Sequence, residues 1–194
     1  ARRENGAQTT RMAAMERMLA VLPDSAAIIA TTGFTGRELF TLEDREQHLY
    51  QVGSMGCAAP MGLGVALNTD KRVVVIDGDG AAMMKLGALA TVGAYAPNNL
   101  LHIVMDNAAY ESTGGQPTVS ASVDFAGVAA ACGYKEAFTC DSLNGLEKII
   151  SETVSRPGPH LVHMVIKAGH PDTLGRPTIK PPEVARRFKD FITS

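Results

Sequence analysis

A three-layer α/β/α fold around a mostly parallel sheet is predicted by three observations. Short runs rich in Val, Ile and Leu, with Val73 to Ile76 and Leu100 to Met105 the clearest, have the composition of strands buried on both faces. Between them lie stretches long enough for a helix that carry apolar residues at helical spacing. Strand and helix then alternate along the chain. Parallel neighbours need a crossover of that size, because a tight hairpin joins only antiparallel strands.

Taken in order, Met12, Met15, Met18, Leu19 and Leu22 recur at helical spacing between Thr9 and Leu22, and Pro23-Asp24 ends the run. Ala26 to Thr31 reads as the first strand. Thr32-Gly33-Phe34-Thr35-Gly36 is a glycine-bearing turn before a short helix from Arg37 to Leu42, and His48 to Val52 is a brief strand. Gly53 to Leu67, rich in small residues, reads as a tightly packed helix entered from a Gly-Ser turn. The strand Val73 to Ile76, a helix from Ala82 to Tyr95 and the strand Leu100 to Met105 follow. A helix from Phe125 to Cys132 stops at Gly133, and Tyr134 to Phe138, Leu143 to Ser155 and Pro159 to Ile166 continue as strand, helix, strand. Gly169 to Lys180 is a Pro/Gly-rich loop. Pro181 to Ile192 closes the chain as an amphipathic helix with proline in its first turn. Internal repeats and low-complexity tracts are absent.

With 194 residues, 45% of them hydrophobic and 20% charged, the chain is sized for one globular domain over residues 1–194, of which 169–194 form a C-terminal loop and helix. Its 18 basic and 20 acidic residues leave a net charge of −2 without long like-charged runs, which argues against nucleic acid or an anionic membrane as partner. Cys57, Cys132 and Cys140 are odd in number and lack zinc or disulfide spacing, as a reducing, cytoplasmic compartment would have it. The apolar piece Met18 to Leu22 is too short for a signal sequence, and nothing approaches the ~20 residues of a membrane span. Because the chain opens on Ala1 rather than Met, it is expected to belong to something longer.

Ligands of an open parallel sheet bind beyond the carboxyl ends of its strands, where both Gly78-Asp79-Gly80 and Asp106-Asn107 fall. The glycines let the backbone turn close to a phosphate, and the start of the next helix presents free N–H groups to that anion. Asp79, the amide oxygen of Asn107 and one loop carbonyl suit the sparse protein share of a Mg²⁺ site that diphosphate and water complete. Met83 stands at the third glycine of a Rossmann fingerprint, and no P-loop occurs, so a nucleotide-binding doubly wound domain is the weaker reading.

Gly78-Asp79-Gly80, with Asn107 placed 28 positions after Asp79, resembles the thiamine diphosphate signature of the decarboxylase and acetolactate synthase superfamily. Gly53-Ser54-Met55-Gly56 resembles that superfamily's Gly-Ser-hydrophobic-Gly element, and Thr32-Gly33 its first diphosphate-proximal turn. Residues Thr31 to Leu39, Gln51 to Cys57 and Ala109 to Thr118 are similar to the phosphonopyruvate decarboxylase family, with sulfopyruvate decarboxylase β subunits as near relatives. The resemblance covers residues 10–192. It implies the diphosphate-binding, C-terminal domain of such an enzyme, with thiamine diphosphate and Mg²⁺ as cofactors. It also implies Asp79, Asn107 and the Ala109 carbonyl as metal ligands, and backbone donors from Gly80 and Ala81 to the diphosphate. The Gly53 carbonyl would accept from the cofactor's 4′-amino group beside Ser54, and Met55 would wedge between its rings.

The same resemblance assigns the carboxylate that protonates the pyrimidine ring to a separate pyrimidine-binding domain, which this sequence lacks. The chain alone is therefore expected to be nearly inactive and to act with a second domain or subunit, in a homo- or hetero-oligomer. The implied reaction is decarboxylation of a 2-oxo acid, phosphonopyruvate to phosphonoacetaldehyde and CO₂. Sulfopyruvate is the alternative substrate, and a non-catalytic thiamine diphosphate-binding module is the alternative of another class. Among this chain's own residues, Glu111 is the candidate for proton transfer, Tyr110 for shaping the pocket and Arg37 for a substrate anion. Ser112 to Val119 is expected to close over the site. His48 and His102 sit in apolar strand contexts and read as structural, and Lys85 as a surface lysine.

Overall fold

A computed structural model describes residues 6–194. Thr10 opens the first helix, α1 (Arg11–Val21), by accepting the Ala13 N–H at 3.2 Å. Then come β1 (Ala27–Ala30), α2 (Phe34–Leu42), β2 (His48–Tyr50), α3 (Ala58–Ala66) and β3 (Val73–Gly78). Two short helices, α4 (Asp79–Met84) and α5 (Ala88–Tyr95), precede β4 (Leu100–Asp106). A small antiparallel hairpin pairs β5 (Ala109–Tyr110) with β6 (Gln116–Pro117). The chain closes with α6 (Phe125–Ala131), β7 (Glu136–Cys140), α7 (Leu143–Thr153), β8 (His160–Val165) and α8 (Pro181–Thr193).

Six parallel strands form the main sheet in the order β2-β1-β3-β4-β8-β7. The period-two alternation of strand side chains splits the core in two. Ile28, Val74, Ile76, Ile103 and Met164 meet α1, α2 and α7 on one face, through Met15, Leu39 and Ile150. Ile29, Val73, Val75, Val104 and Leu161 meet α3, α5 and α6 on the other, through Leu63, Val92 and Phe125. Both sides of β3 and β4 are therefore dry, which explains their unbroken Val/Ile/Leu composition. The α/β/α layering read from the sequence is the fold observed.

Several element boundaries differ from the sequence reading, among them α2, which starts at Phe34 rather than Arg37, and three have a clear local cause. The helix expected over Gly53 to Leu67 starts only at Ala58, because Gly53 (φ 70°), Ser54 (φ 49°) and Gly56 (φ 88°) hold left-handed backbone that no right-handed helix contains. The helix expected over Ala82 to Tyr95 is two, interrupted at Lys85 to Gly87 beside a glycine that weakens any helix interior. The strand expected from Tyr134 starts at Glu136, since the Tyr134 N–H is still bonded to Ala129 O at the end of α6.

His48 and His102 are buried in the sheet and outside the cleft described below. His102 Nδ1 lies 3.3 Å from the Tyr134 hydroxyl, and His48 Nδ1 lies 3.2 Å from Glu43 O. Burial pushes the His48 imidazole down from 6.5 to about 4. The unfolded chain then takes up this proton first, so the stability that neutral His48 contributes is complete above about pH 6.5 and is lost as pH falls through about 4. The loss amounts to on the order of 3 kcal/mol. Melting curves between pH 7 and pH 4 should fall more steeply for the wild type than for His48→Gln; parallel curves would refute this origin of acid sensitivity.

Candidate functional site

From β1 the chain steps to β2 on one side, then crosses over β1 to β3 on the other, so the strand order reverses between β1 and β3. Crevices beyond the carboxyl ends of strands at such a reversal are where doubly wound sheets bind ligands. Here the crevice is lined by Thr31 and Thr32 after β1, Phe34 and Thr35 of α2, Met55, the run Gly78 to Ala81, Met105, Asn107, Ala109, Glu111 and Ser112, with Arg11 reaching in from α1.

Asp79 follows β3 directly as the first residue of α4 and is 2% exposed. The sequence reading leaves it between the strand ending at Ile76 and the helix starting at Ala82; in the structure its carboxyl is part of the buried floor. It accepts the Thr118 hydroxyl at 2.5 Å and the backbone N–H groups of Gly80 and Asn107. Asp79 and Asn107 are thus adjacent. Among the described residues no Lys, Arg or His forms an ion pair with Asp79. Burial, and then the nearby charge of Asp106, push its carboxyl up to about 6.

Asp106 and Asn107 each bend the backbone back on themselves. Asp106 Oδ1 accepts the Ala108 N–H at 2.9 Å and Asn107 Oδ1 accepts the Ala109 N–H at 3.1 Å, around Ala108 in a left-handed conformation (φ 57°). Asp106 also takes the Ser120 hydroxyl at 2.8 Å and His163 Nε2 at 3.0 Å. Burial alone would raise Asp106, but these donors outweigh it and hold its carboxyl below the usual range. The segment 112–119, expected to close over the site, carries a short hairpin: β6 pairs with β5, and the Thr118 N–H bonds Ala108 O at 3.1 Å.

Three features of this cleft fit a cation and a diphosphate. Asp79 is a buried carboxylate that forms no ion pair among the described residues. Thr31 Oγ1 is buried on the lining without a hydrogen-bond partner. Gly78 has ordinary extended backbone (φ −104°, ψ 156°), and a Cβ built on it meets no protein atom within 4 Å. Among the described residues no cluster of three or more His, Cys, Asp or Glu residues could hold a metal. The oxygens that do meet here, one carboxylate with amide and carbonyl groups, are of the kind a hard cation takes.

Of the residues read from the sequence, Thr32, Met55, Gly78, Asp79, Gly80, Ala81, Asn107, Ala109 and Glu111 line the cleft. Gly33, Gly53, Ser54 and Tyr110 form its supports. Gly33 caps the start of α2 with φ 98° and faces Ser112; the Gly53 N–H bonds Thr32 Oγ1 at 3.3 Å, and Ser54 O accepts the Gln51 side-chain amide at 3.0 Å. A Cβ on Gly80 would overlap the Tyr110 ring, so that ring approaches the helix start only because residue 80 is glycine. Arg37 turns away from the substrate role suggested for it. Its guanidinium bonds Leu174 O at 2.7 Å and Gly175 O at 3.0 Å and lies over Phe34. Lys85 lays its stem against Gly56. No sequence signal marks Arg11 or Thr118, whose partners Glu111 and Asp79 lie 100 and 39 positions away.

The family described as "Thiamine pyrophosphate enzyme, C-terminal TPP binding domain" matches residues 29–164. The chain belongs to this family. As a thiamine pyrophosphate enzyme domain it is 55% identical over 190 residues to a phosphonopyruvate decarboxylase of Streptomyces viridochromogenes, an alignment covering 98% of this chain and 48% of the relative. It is 39% identical over 162 residues to a sulfopyruvate decarboxylase subunit beta of Methanothermobacter thermautotrophicus, covering 84% of each. A solved Mycobacterium smegmatis structure, assigned as a thiamin diphosphate-dependent enzyme, superposes with a TM-score of 0.71 at 24% identity, over 83% of this chain and 32% of that one. The chain spans about half the length of the Streptomyces relative. No helix among the described residues is long and apolar enough to cross a membrane.

Proposed function

We propose that this chain is the diphosphate-binding half of a thiamine diphosphate-dependent 2-oxo acid decarboxylase whose substrate is phosphonopyruvate, working in the cytoplasm with a pyrimidine-binding domain or subunit in an oligomer. One observation carries the site: the buried Asp79 carboxylate, without an ion-pair partner among the described residues, adjoins Asn107 in a cleft where Gly78 leaves unfilled room. The substrate follows the 55% identity to a phosphonopyruvate decarboxylase.

Mg²⁺ would be held by the Asp79 carboxylate, the Asn107 amide oxygen and the Ala109 carbonyl. The N–H groups of Gly80 and Ala81, at the start of α4, would face the diphosphate, with the Thr31 hydroxyl as a further donor. Met55, half-buried on the lining, would support the cofactor rings, and Gly53 with Ser54 would present a carbonyl to them. When bound, thiamine diphosphate supplies the electron sink for the pair released with CO₂. The chain's own part is to orient, to exclude water and to offer Glu111 at the edge of the cleft for proton transfer.

A sulfonate substrate is favoured by one observation, the alignment over 84% of a sulfopyruvate decarboxylase subunit beta, a relative near this chain in length. CO₂ release by the assembled enzyme, dependent on both thiamine diphosphate and Mg²⁺, separates the readings. Turnover of phosphonopyruvate far above sulfopyruvate is expected. The reverse preference would move the substrate to the sulfonate, and cofactor binding without turnover of either acid would leave a binding module.

A further inference from the structure

Arg11 is buried at the first turn of α1, 5% exposed, although α1 lies in a layer distinct from the strand ends that carry the cleft. Its guanidinium is shared between two acids. Nη1 lies 2.6 Å from Glu38 Oε1 on α2, and Nη2 lies 2.7 Å from Glu111 Oε2. The other oxygen of Glu111 accepts the Gly169 N–H at 2.5 Å, from the segment that follows β8.

We propose that Arg11 is a positioning residue for the reaction: with the Gly169 amide it holds both carboxylate oxygens of Glu111, fixing that group at the edge of the cleft. The inference rests on the reading of Glu111 as the group that acts there.

The surroundings of Glu111 explain why a clamp is needed. It begins a single 3₁₀ turn, Glu111–Thr113, whose next residues Ser112, Thr113 and Gly114 are exposed. The Glu111 side chain folds back from this exposed turn and is only 5% exposed, and an acid or base misplaced by about 1 Å loses most of its effect. Arg11 ties that side chain to the helical layer in a fixed direction. Glu38 in turn holds Arg11. Glu38 is 1% exposed, its second oxygen Oε2 has no hydrogen-bond partner, and burial keeps its carboxyl above the usual range despite Arg11. A planar fork that meets two carboxylates at once is set in direction as well as distance, which a lysine ammonium cannot reproduce.

Arg11 also lines the cleft, so it could instead receive a substrate anion. Its charge is already met by two carboxylates, and an incoming anion would face both. Positioning is the role the geometry allows.

The test uses the assembled enzyme and two readouts. Arg11→Met should lower kcat by about 10²-fold while KM and the calorimetric Kd for thiamine diphosphate stay unchanged. Arg11→Lys should recover only part of kcat. In cofactor-free protein, hydrogen–deuterium exchange at the Gly169 amide should speed up in both Arg11→Met and Glu111→Gln, because each loosens the same acceptor. Should Arg11→Met fold poorly with two carboxylates left facing each other, Arg11→Met combined with Glu38→Gln removes one of them and repeats the measurement. Wild-type kcat with undisturbed Gly169 exchange in a folded Arg11 variant overturns the proposal, as does an Arg11→Met defect confined to KM. Undiminished turnover in Glu111→Gln overturns instead the reading beneath it.

Discussion

Asp79→Asn should sharply weaken Mg²⁺-supported binding of thiamine diphosphate and, at the same time, make the metal-free protein harder to unfold at neutral pH. The two effects share one cause. Asp79 is a buried carboxylate with no ion-pair partner among the described residues, and burial together with Asp106 pushes it from 3.8 to about 6. A folded-state value above the unfolded one means that the folded chain binds the proton more tightly. The associated stability is complete below about pH 3.8 and is lost as pH rises through about 6. Above that, the ionised group weakens the fold until a cation arrives.

Asparagine stands in for the neutral acid, yet its amide nitrogen cannot accept from the backbone N–H groups of Gly80 and Asn107. The net gain should therefore be on the order of 1 kcal/mol at pH 8 in chelator, shrinking towards pH 4. Calorimetric affinity for the cofactor in Mg²⁺ should fall by about 10²-fold or more, since deleting a metal ligand costs at least as much as deleting a group that only orients one. Denaturant melts of both proteins in chelator supply the other half. A variant that binds normally, or one less stable than wild type at pH 8, would show that the carboxylate is not held in wait for a cation.

Much of this site was legible because its signal is local. The runs Val73 to Ile76 and Leu100 to Met105 identify buried strands by composition alone, and the residues just beyond them are carried to one edge of any parallel sheet. Asp79 and Asn107 follow from that without knowledge of the rest. Local patterns failed where backbone handedness decided, as at Gly53 to Gly56. They also failed where a helix broke inside an apolar stretch, as at Lys85 to Gly87. They could not reach Thr118 or Arg11, because a threonine before a polar turn and an arginine on a helix read as solvent-facing until the fold brings Asp79 and Glu111 to them. Arg37 shows the opposite error. Proximity in sequence to the Gly33 turn suggested a substrate role, whereas the carbonyls of Leu174 and Gly175, far along the chain, claim its guanidinium.

Gly78→Val offers the sharpest separation between what the fold needs and what a ligand needs. At Gly62 an added Cβ would strike Val75, at Gly80 the Tyr110 ring, and at Gly93 the Cys132 carbonyl, so the protein itself explains those glycines. It does not explain Gly78. The residue ends a strand with dihedrals that any L-residue adopts, and its missing side chain opens onto the cleft rather than onto a neighbour. Valine is a favourable strand residue and restricts the unfolded chain more than glycine, so Gly78→Val should leave the cofactor-free protein as stable as wild type or up to about 1 kcal/mol more so. Its branched side chain would fill the room beside Asp79, and the Kd for thiamine diphosphate with Mg²⁺ should rise by about 10²-fold, since overlap with a tightly apposed ligand displaces it from its hydrogen-bonding groups. A variant that melts early would mean that packing had a use for the glycine after all. One that keeps both stability and affinity would place the cofactor somewhere other than the mouth of β3.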